Sequence, residues 1–285
     1  MRIAISGSNG YIASNLIPAL ERANHIVIRI KRNELSDIER LAPILTNTSV
    51  VINLAGAPIL QRWTPENKNV ILKSRVDSTE NITKVINQLP ANQRPKLFIS
   101  ASAIGIYAPD LVHTESSHLF AEGFVSEVVN QWEKASENLN PDVRRVIFRI
   151  GLILGREAKT IKSLLPLFRL GLGGKIANGK QPFPFIHIDD VVNAMLWTIQ
   201  NQRTQGIYNL VAPENVDNNT FTKTLAHLLK RPAIFTVPKF ALKIALGEAS
   251  SLLLNNPQVY PERLMHEGFQ FSYPDIKSCI AEIIR

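Results

Sequence analysis

The stretch RIAISGSNGYIA, residues 2–13, decides the fold of this chain. An apolar run of strand type ends at a glycine, and a second glycine stands just before an amphipathic helical pattern. Gly7 permits a tight turn after the strand, and Gly10 allows a pyrophosphate to approach the helix N-terminus. Ala13 is small enough for the helix to pack closely on the strand. The pattern predicts a dinucleotide-binding unit, and the alternative is a tight turn without a ligand.

Short β-branched runs alternate with longer helical patterns, such as residues 34–45, through the first half of the chain. Further on, FIHIDDVVNAMLWTIQ (185–200) predicts a short strand followed by a helix that is capped by Asp189 or Asp190. Buried strands joined by such helices predict an α/β fold with a Rossmann-type, doubly wound parallel sheet. We expect this nucleotide-binding domain to span residues 1–155, with 186–212 returning to it. Glycine and proline become frequent after residue 155. Residues 156–285 are therefore predicted to form a smaller mixed α/β domain that binds the substrate.

The end of the second strand, RIKRN (29–33), indicates which dinucleotide is bound. Sheets that bind NAD place an acidic residue here to hold the ribose 2′-hydroxyl group. This chain has Lys31 and Arg32 instead, and cations suit a 2′-phosphate. We predict NADP(H) as the cofactor, the alternative being two solvated basic side chains.

Composition limits the partners of the chain. It has 285 residues, a net charge of +8 and a pI of about 9.6, but no basic run is interleaved with aromatic residues, so no nucleic-acid partner is expected. No apolar run is long enough to span a bilayer, and a strand begins at residue 2. We therefore expect no membrane partner, no leader and a cytoplasmic location. The single cysteine, Cys279, lies in what reads as a polar tail, so we expect an unreactive thiol and no metal site.

Several ordered stretches carry a family resemblance. They include NLAGAPI (53–59), KSRVDST (73–79), SASAIGIY (100–107), WEKA (132–135), RIGLILG (149–155), PFIHIDD (184–190) and PERLMHEGFQF (261–271). Over essentially its whole length the chain resembles the extended short-chain dehydrogenases/reductases. It most resembles their atypical branch, the sugar nucleotide epimerase-like family with a characteristic C-terminal domain.

The resemblance implies a cofactor site at the carboxyl ends of the parallel strands. The implied residues are Gly7, Ser8, Asn9, Gly10, Tyr11 and Ile12 at the phosphates, Lys31 and Arg32 at the 2′-phosphate, Leu54, Ala55 and Gly56 beside the adenosine, Arg75 from the next helix, and Ser100, Ala101 and Ser126 on the nicotinamide side. For Arg75 the alternative is an exposed helical arginine.

Half of the superfamily's catalytic apparatus is missing. Ordinary members combine a serine at the end of this strand with Tyr-x-x-x-Lys on the following helix, one turn apart. Here Phe124 stands near the tyrosine position and Val128 near the lysine position. The serine is Ser102 or Ser100, and we assign catalysis to Ser102. Tyr107 is the best substitute acid, with an aromatic side chain packed on the site as the alternative.

We also expect a substrate cleft that faces the cofactor from the second domain. We predict that Arg62, Trp63, Arg169 and His187 line it, because a sugar-like or anionic substrate would explain cations beside an aromatic ring. The alternatives are a core Trp63, a solvated Arg169 and a structural His187. Two functions stay open, an NADP(H)-dependent epimerase or oxidoreductase and an NADP(H)-binding sensing or partner-binding module with little turnover. A homodimer is one assembly that the chain allows.

Overall fold

Strands and helices alternate along the chain largely where the hydrophobic patterning predicts them. A computed structural model describes residues 1–109 and 111–285. The strands are β1 (Arg2–Ser6), β2 (Ile26–Ile30), β3 (Val50–Asn53), β4 (Leu97–Ala103), β5 (Val112–His113), β6 (Arg144–Ile150), β7 (Leu152–Leu154), β8 (Gly174–Ile176), β9 (Phe185–His187), β10 (Gly206–Leu210), β11 (Phe235–Val237) and β12 (Gln258–Val259). The helices are α1 (Tyr11–Arg22), α2 (Arg32–Leu35), α3 (Ile38–Leu45), α4 (Pro65–Gln88), α5 (Phe124–Lys134), α6 (Lys159–Arg169), α7 (Ile188–Gln200), α8 (Asn218–Leu228), α9 (Lys239–Leu246), α10 (Ser251–Leu254), α11 (Glu262–His266) and α12 (Ile276–Ile284).

The central sheet has six parallel strands in the order β10-β6-β4-β3-β1-β2. The predicted Rossmann-type, doubly wound sheet is confirmed. The sheet has its topological switch point between β1 and β3. The strand that follows β1, β2, is added on one side of β1, and every later strand of the sheet is added on the other side. Doubly wound sheets bind nucleotides at the carboxyl ends of the strands that flank this reversal. The fold therefore opens a crevice beyond Ser6 and Asn53.

Helices cover both faces of the sheet because successive strand residues point to opposite sides. Ile3 and Ile5 of β1 are fully buried in a cluster with residues of α1 and α7. Ala4, between them, belongs to a second cluster with residues of α3 and α4. This two-sided burial explains why the strands read as continuous apolar runs.

The C-terminal part forms its own apolar cluster, in which Phe183 stacks on Phe221 with ring centroids 4.2 Å apart. In this part β7 pairs with β9 and β8 pairs with β11. The segment that lies between β9 and β11 in the sequence contacts the first part of the chain: α7 packs on α1, and β10 joins the central sheet beside β6. The division of the chain into two domains stays a prediction.

Two helix boundaries differ from the sequence-based expectation. The pattern of residues 34–45 reads as one helix, but the carboxylate of Asp37 accepts hydrogen bonds from the N–H groups of Glu39 and Arg40 and starts α3 afresh. The cap expected of Asp189 or Asp190 on α7 is wrong. His187 caps that helix, because its Nδ1 atom accepts the N–H group of Asp189 at 3.2 Å.

Among the described helices, none has the combined length and apolarity needed to cross a membrane.

The cysteine does not lie in a polar tail, as the sequence suggested. Cys279 belongs to α12 and is fully buried in the C-terminal cluster. Burial raises the pKa of its thiol, and the charge of Asp190 acts in the same direction.

We expect Cys279 to resist thiol reagents in the native protein, because the reactive species is the exposed thiolate. If opening this cluster costs about 3 kcal/mol or more, labelling is at least about 100-fold slower than in the unfolded chain. The measurement is the release of thionitrobenzoate from Ellman's reagent at pH 8, with and without denaturant. Denatured protein should yield one thiol per chain. Rapid labelling of one thiol in native buffer would contradict the burial of Cys279.

Candidate functional site

The glycine turn brings β1 and β3 into close contact. Gly7 has φ of +65°, and a Cβ atom there would overlap the carbonyl group of Leu54 and lie 2.9 Å from the nitrogen of Ala55. The N–H group of Gly10 donates to the Gly7 carbonyl at 2.9 Å, and Gly10 precedes α1. The first turn of α1 has no acidic residue and no side-chain cap. Its N–H groups can therefore receive an anion.

The side chain of Tyr11 serves packing between the two parts of the chain. A Cβ atom at Gly155 would overlap its hydroxyl oxygen, so the phenol lies directly against that glycine. Tyr11 packs against both the central and the C-terminal apolar clusters. Burial raises the pKa of the Tyr11 phenol to about 12. Because the side chain is used in packing, only the backbone of Tyr11 remains for the predicted contact with the cofactor.

The predicted 2′-phosphate residues lie beside the glycine turn. Ser6 pairs with Ile30, so Lys31 leaves the sheet next to Gly7. The side chains of Lys31 and Arg32 are exposed, and neither has a carboxylate partner among residues 1–109 and 111–285. The carboxylate of Glu34 instead accepts the Lys31 backbone N–H group at 2.6 Å.

A buried hydrogen-bond network fixes the walls of the crevice. Ser6 Oγ donates to Asn53 Oδ1 at 2.5 Å, and Asn53 Nδ2 donates to Thr79 Oγ1 at 2.8 Å. The N–H group of Leu54 donates to Ser6 Oγ at 3.2 Å. These bonds tie β1, β3 and α4 together, so the segment Leu54–Gly56 keeps a fixed position beside the turn.

Ser102 is the last residue but one of β4 and lies next to a buried ion pair. Its Oγ atom donates to Glu133 Oε1 at 2.5 Å. Glu133 lies on α5 and receives Arg149 at both oxygens, Nε at 2.8 Å and Nη2 at 2.7 Å. Burial alone would lower the pKa of Arg149, but its hydrogen bonds to Glu133 and the charge of that carboxylate hold the pKa above its usual value. Glu133 and Arg149 therefore form a two-point ion pair behind the serine.

Tyr107 belongs to the same network. Its hydroxyl donates to Asn209 Oδ1 at 2.8 Å and accepts from Arg149 Nη1 at 2.9 Å. The side chain is 2% exposed, and burial raises the pKa of its phenol. The structure thus links Ser102 and Tyr107, but these contacts favour a packed, structural Tyr107 over a proton donor.

Sequence reasoning missed Glu133 and Arg149. One signal for Arg149 was present, since VIFRIG (146–151) places a cation inside an apolar strand where a buried charge needs a partner. Glu133 carried no comparable signal, because a glutamate near the end of an amphipathic helix is ordinarily solvated.

Apolar side chains stand on α5 near the positions at which the resemblance implies a tyrosine and a lysine. Phe124 starts α5 and meets Trp63 edge-on, with ring centroids 5.1 Å apart. Val128, one turn later, is buried. The Nζ atom of Lys68 lies 5.3 Å from the Phe124 ring centroid and 2.5 Å from Glu248 of the C-terminal part. Trp63 therefore lies at the start of α5. Its indole N–H donates to the Ile59 carbonyl at 3.0 Å, so this donor is already satisfied within the fold.

Two predicted cofactor residues direct their hydroxyl groups at backbone. Ser100 Oγ donates to the Ala101 carbonyl at 3.0 Å, and Ser126 Oγ donates to the Ile106 carbonyl at 3.3 Å. Both serines are buried. In this arrangement both hydroxyl groups donate to the protein's own backbone, so neither proton is available to a cofactor.

The predicted substrate residues are not all brought together. Arg62 and Arg169 are exposed, in the loop before α4 and at the end of α6. His187 is 1% exposed, and its Nε2 atom lies 3.0 Å from Glu282 of α12. Its ring lies 4.1 Å from that of Tyr273. These contacts favour a structural His187 that joins the start of α7 to α12 over a substrate contact.

No group of three or more His, Cys, Asp or Glu side chains suited to a metal ion occurs in the described part of the chain.

Comparison with known proteins identifies the relatives. The family model of the NAD-dependent epimerase/dehydratase family matches residues 3–210, and a model described as a domain of unknown function (DUF1731) matches residues 237–283. The chloroplastic epimerase family protein SDR39U1 homolog of Arabidopsis thaliana is 32% identical, over 100% of this chain and 87% of its own.

Two solved structures are also similar. The human epimerase family protein SDR39U1 (isoform 2), solved with NADPH, is 30% identical with a TM-score of 0.92 and 99% coverage of both chains. A nucleoside-diphosphate sugar epimerase from Corynebacterium glutamicum is 26% identical with a TM-score of 0.80, over 100% of this chain and 58% of its own.

Proposed function

The chain belongs to the NAD-dependent epimerase/dehydratase family, and we propose that it binds NADP(H) between β1 and β3 and acts as an epimerase or oxidoreductase on a sugar-like or carbonyl substrate. The observation that carries the cofactor is the pair Lys31 and Arg32, exposed beside the glycine turn without a carboxylate partner in the described chain. The human relative solved with NADPH supports the same cofactor.

The residues of the crevice fit this cofactor. Gly7 has no room for a Cβ atom, and the N–H groups at the start of α1 are open to a pyrophosphate. Arg32 offers a planar set of donors to a 2′-phosphate. When bound, NADP(H) supplies hydride transfer, and the protein supplies position and charge.

Ser102 and Glu133 take over proton transfer in this proposal. Because the Ser102 hydroxyl donates to Glu133, the Ser102 oxygen is left to accept a hydrogen bond from a substrate hydroxyl. During oxidation of that hydroxyl, its proton passes to Ser102 Oγ while the Ser102 proton passes to Glu133 Oε1. Carbonyl reduction reverses both transfers. Arg149 holds the carboxylate in place for this exchange.

The proposed substrate contacts lie near the start of α5. Arg62 and Trp63 remain the proposed substrate contacts, since Trp63 meets Phe124 at the start of α5. The similarity to the Corynebacterium sugar epimerase supports a nucleotide sugar. We retain as predictions a cytoplasmic location, a homodimer and the absence of a nucleic-acid partner.

One observation favours a second function, an NADP(H)-binding sensing or partner-binding module. Phe124 and Val128 cannot exchange or tune a proton where the wider superfamily has tyrosine and lysine. The two functions separate on substrate-dependent NADPH oxidation and on its loss in Ser102→Ala. Turnover that is unaffected by Ser102→Ala would contradict the role given to Ser102.

Replacing Arg32 by alanine is expected to weaken NADPH binding by about 10- to 100-fold, because a hydrogen-bonded charge contributes about 1.5–3 kcal/mol. NADH affinity should not change, since NADH lacks the 2′-phosphate. Isothermal titration calorimetry with both nucleotides measures this.

The matched control is Arg29→Ala, which removes an exposed cation from β2, the strand that leads to Arg32, 4.0 Å from Glu21. It should leave both affinities unchanged. Equal NADPH binding in the wild type and Arg32→Ala would contradict the 2′-phosphate assignment, and no nucleotide binding by the wild type would overturn the proposed function.

A further inference from the structure

Two segments of the C-terminal part hold the whole positive excess of the chain. Residues 158–188 and 218–247 contain ten of its 32 basic residues and none of its 24 acidic residues. The rest of the chain therefore has 22 basic and 24 acidic residues, a slight negative excess. The net charge of +8 thus comes from these two segments and not from basic residues scattered evenly over the surface.

The fold brings the two segments together. β8 of the first segment pairs with β11 of the second. Arg231 Nε donates to the Arg169 carbonyl at 2.9 Å, so the end of α6 adjoins the approach to β11. We call residues 169–176 and 230–246, which contain six basic and no acidic residues, the basic face. The positive charge is therefore concentrated on one side of the molecule.

α9 belongs to the basic face and does not pack into the fold. None of its eight residues is buried. Phe240 and Ile244, one turn apart, are 66% and 72% exposed. Two further apolar side chains of this face are exposed to a similar extent, Leu170 at 73% and Ile234 at 80%. Large apolar side chains exposed on several elements of one face indicate a surface that another body covers.

The lysines of α9 lack an anionic partner within residues 1–109 and 111–285. Lys239 and Lys243 lie one turn apart, where like charges repel each other. Glu248 is the first carboxylate after α9, and it pairs with Lys68 of α4 instead. An anion outside the molecule would therefore relieve a repulsion that the fold leaves in place.

The composition of these segments favours a lipid surface over a protein partner. Eight of the ten basic residues are lysines, and lysine is depleted at protein interfaces, where arginine and large aromatic residues are enriched. Lysine can lay its stem along apolar surface while its ammonium group stays in water, as at the boundary between acyl chains and headgroups. A helix that combines lysines with phenylalanine or leucine lies in that boundary and does not cross the bilayer.

We propose that the basic face docks on the surface of an anionic lipid bilayer, with Phe240 and Ile244 in the headgroup region and the lysines at the lipid phosphates. This contact goes beyond the proposed function. It also replaces the expectation of no membrane partner, which rested on the lack of a spanning run and does not bear on a helix in the membrane plane. Because Glu248 pairs with Lys68 beside the Phe124 ring, docking brings the start of α5 near the membrane.

The test is co-sedimentation of the full chain with vesicles of phosphatidylglycerol and phosphatidylcholine in equal parts. The wild type should bind them at low salt, bind less at high salt, and not bind vesicles of phosphatidylcholine alone. Lys239→Gln combined with Lys243→Gln should lower the partition coefficient about 30-fold, since each lysine near an anionic surface contributes about fivefold. Phe240→Ser combined with Ile244→Ser should lower it at least about tenfold.

The matched control is Lys73→Gln combined with Lys84→Gln. It removes two exposed cations from α4, outside the basic face, and changes the net charge by the same amount. It should bind the vesicles as the wild type does. All variants should keep the melting temperature of the wild type, because none of the replaced side chains is buried.

Three outcomes would overturn the lipid contact. The first is a wild type that stays in solution with the anionic vesicles, and the second is an equal loss of binding in the α4 control, which would make the attraction diffuse. The third concerns a second copy of the chain as the occupant of the face. If vesicles bind neither protein and light scattering shows that Phe240→Ser with Ile244→Ser halves the mass, the face is a dimer interface.

Failure of this inference is distinguishable from failure of the proposed function. A wild type that binds NADPH but no vesicles overturns the lipid contact alone. A folded wild type that binds the anionic vesicles but no nucleotide overturns the proposed function alone, because the basic face does not include the crevice between β1 and β3.

Discussion

Replacing Arg149 by methionine is expected to lower the free energy of unfolding by about 3–5 kcal/mol, because it strands a buried carboxylate. The Arg149 side chain is 3% exposed and that of Glu133 is 11% exposed. The variant leaves Glu133 with the Ser102 hydroxyl as its remaining side-chain donor, and Tyr107 loses the donor to its hydroxyl oxygen. Urea denaturation followed by circular dichroism measures the change.

Two further variants make this test specific. Glu157→Gln breaks the exposed pair of Glu157 with Lys162, and such surface pairs contribute only about 0–1 kcal/mol. Combining Arg149→Met with Glu133→Gln should recover part of the lost stability, because the stranded charge is gone. If Arg149→Met were as stable as Glu157→Gln, the ion pair would not hold β6 and α5 together, and the position given to Ser102 would lose its support.

The sequence predicted the crevice better than the chemistry next to it. β1, the glycine turn and the start of α1 follow from a local pattern. The buried strand, the tight turn and the amphipathic helix each have a sequence signal within the twelve residues 2–13. The start of α4 at Pro65 is equally local. Thr64 accepts the N–H group of Asn67, and proline is favoured in the first turn.

The network behind Ser102 could not be read from the sequence, because it joins side chains that only the folded sheet brings together. Ser102 and Glu133 are 31 residues apart, and Tyr107 and Asn209 are 102 apart. The register of β4 and β6, which sets Ser102 opposite Arg149, is a property of the whole sheet. The failed prediction of a capping Asp189 or Asp190 has a similar cause. The carboxylate of Asp190 is instead taken by the N–H groups of Ser272 and Tyr273.

Replacing Gly7 by alanine is expected to abolish measurable NADPH binding and to destabilise the protein by roughly 2–4 kcal/mol. A φ of +65° costs an L-residue about 1–2 kcal/mol, and the new methyl group would also overlap the Leu54 carbonyl. Leu54 cannot easily retreat, because its N–H group is bound to Ser6. The turn and the end of β3 must therefore separate, which moves the N–H groups of the turn away from a phosphate.

Gly247→Ala separates the two causes of this effect. Gly247 has φ of +61°, but nothing lies within 4 Å of the place where its Cβ atom would be. Because its ψ is −134°, Gly247 has a backbone conformation that side chains disfavour strongly, so this control should cost about 1–3 kcal/mol for conformation alone and leave NADPH affinity intact. Urea unfolding and calorimetry on both variants give the comparison. If Gly7→Ala bound NADPH as the wild type does, the cofactor could not lie against this turn, and the crevice between β1 and β3 would have to be abandoned as its site.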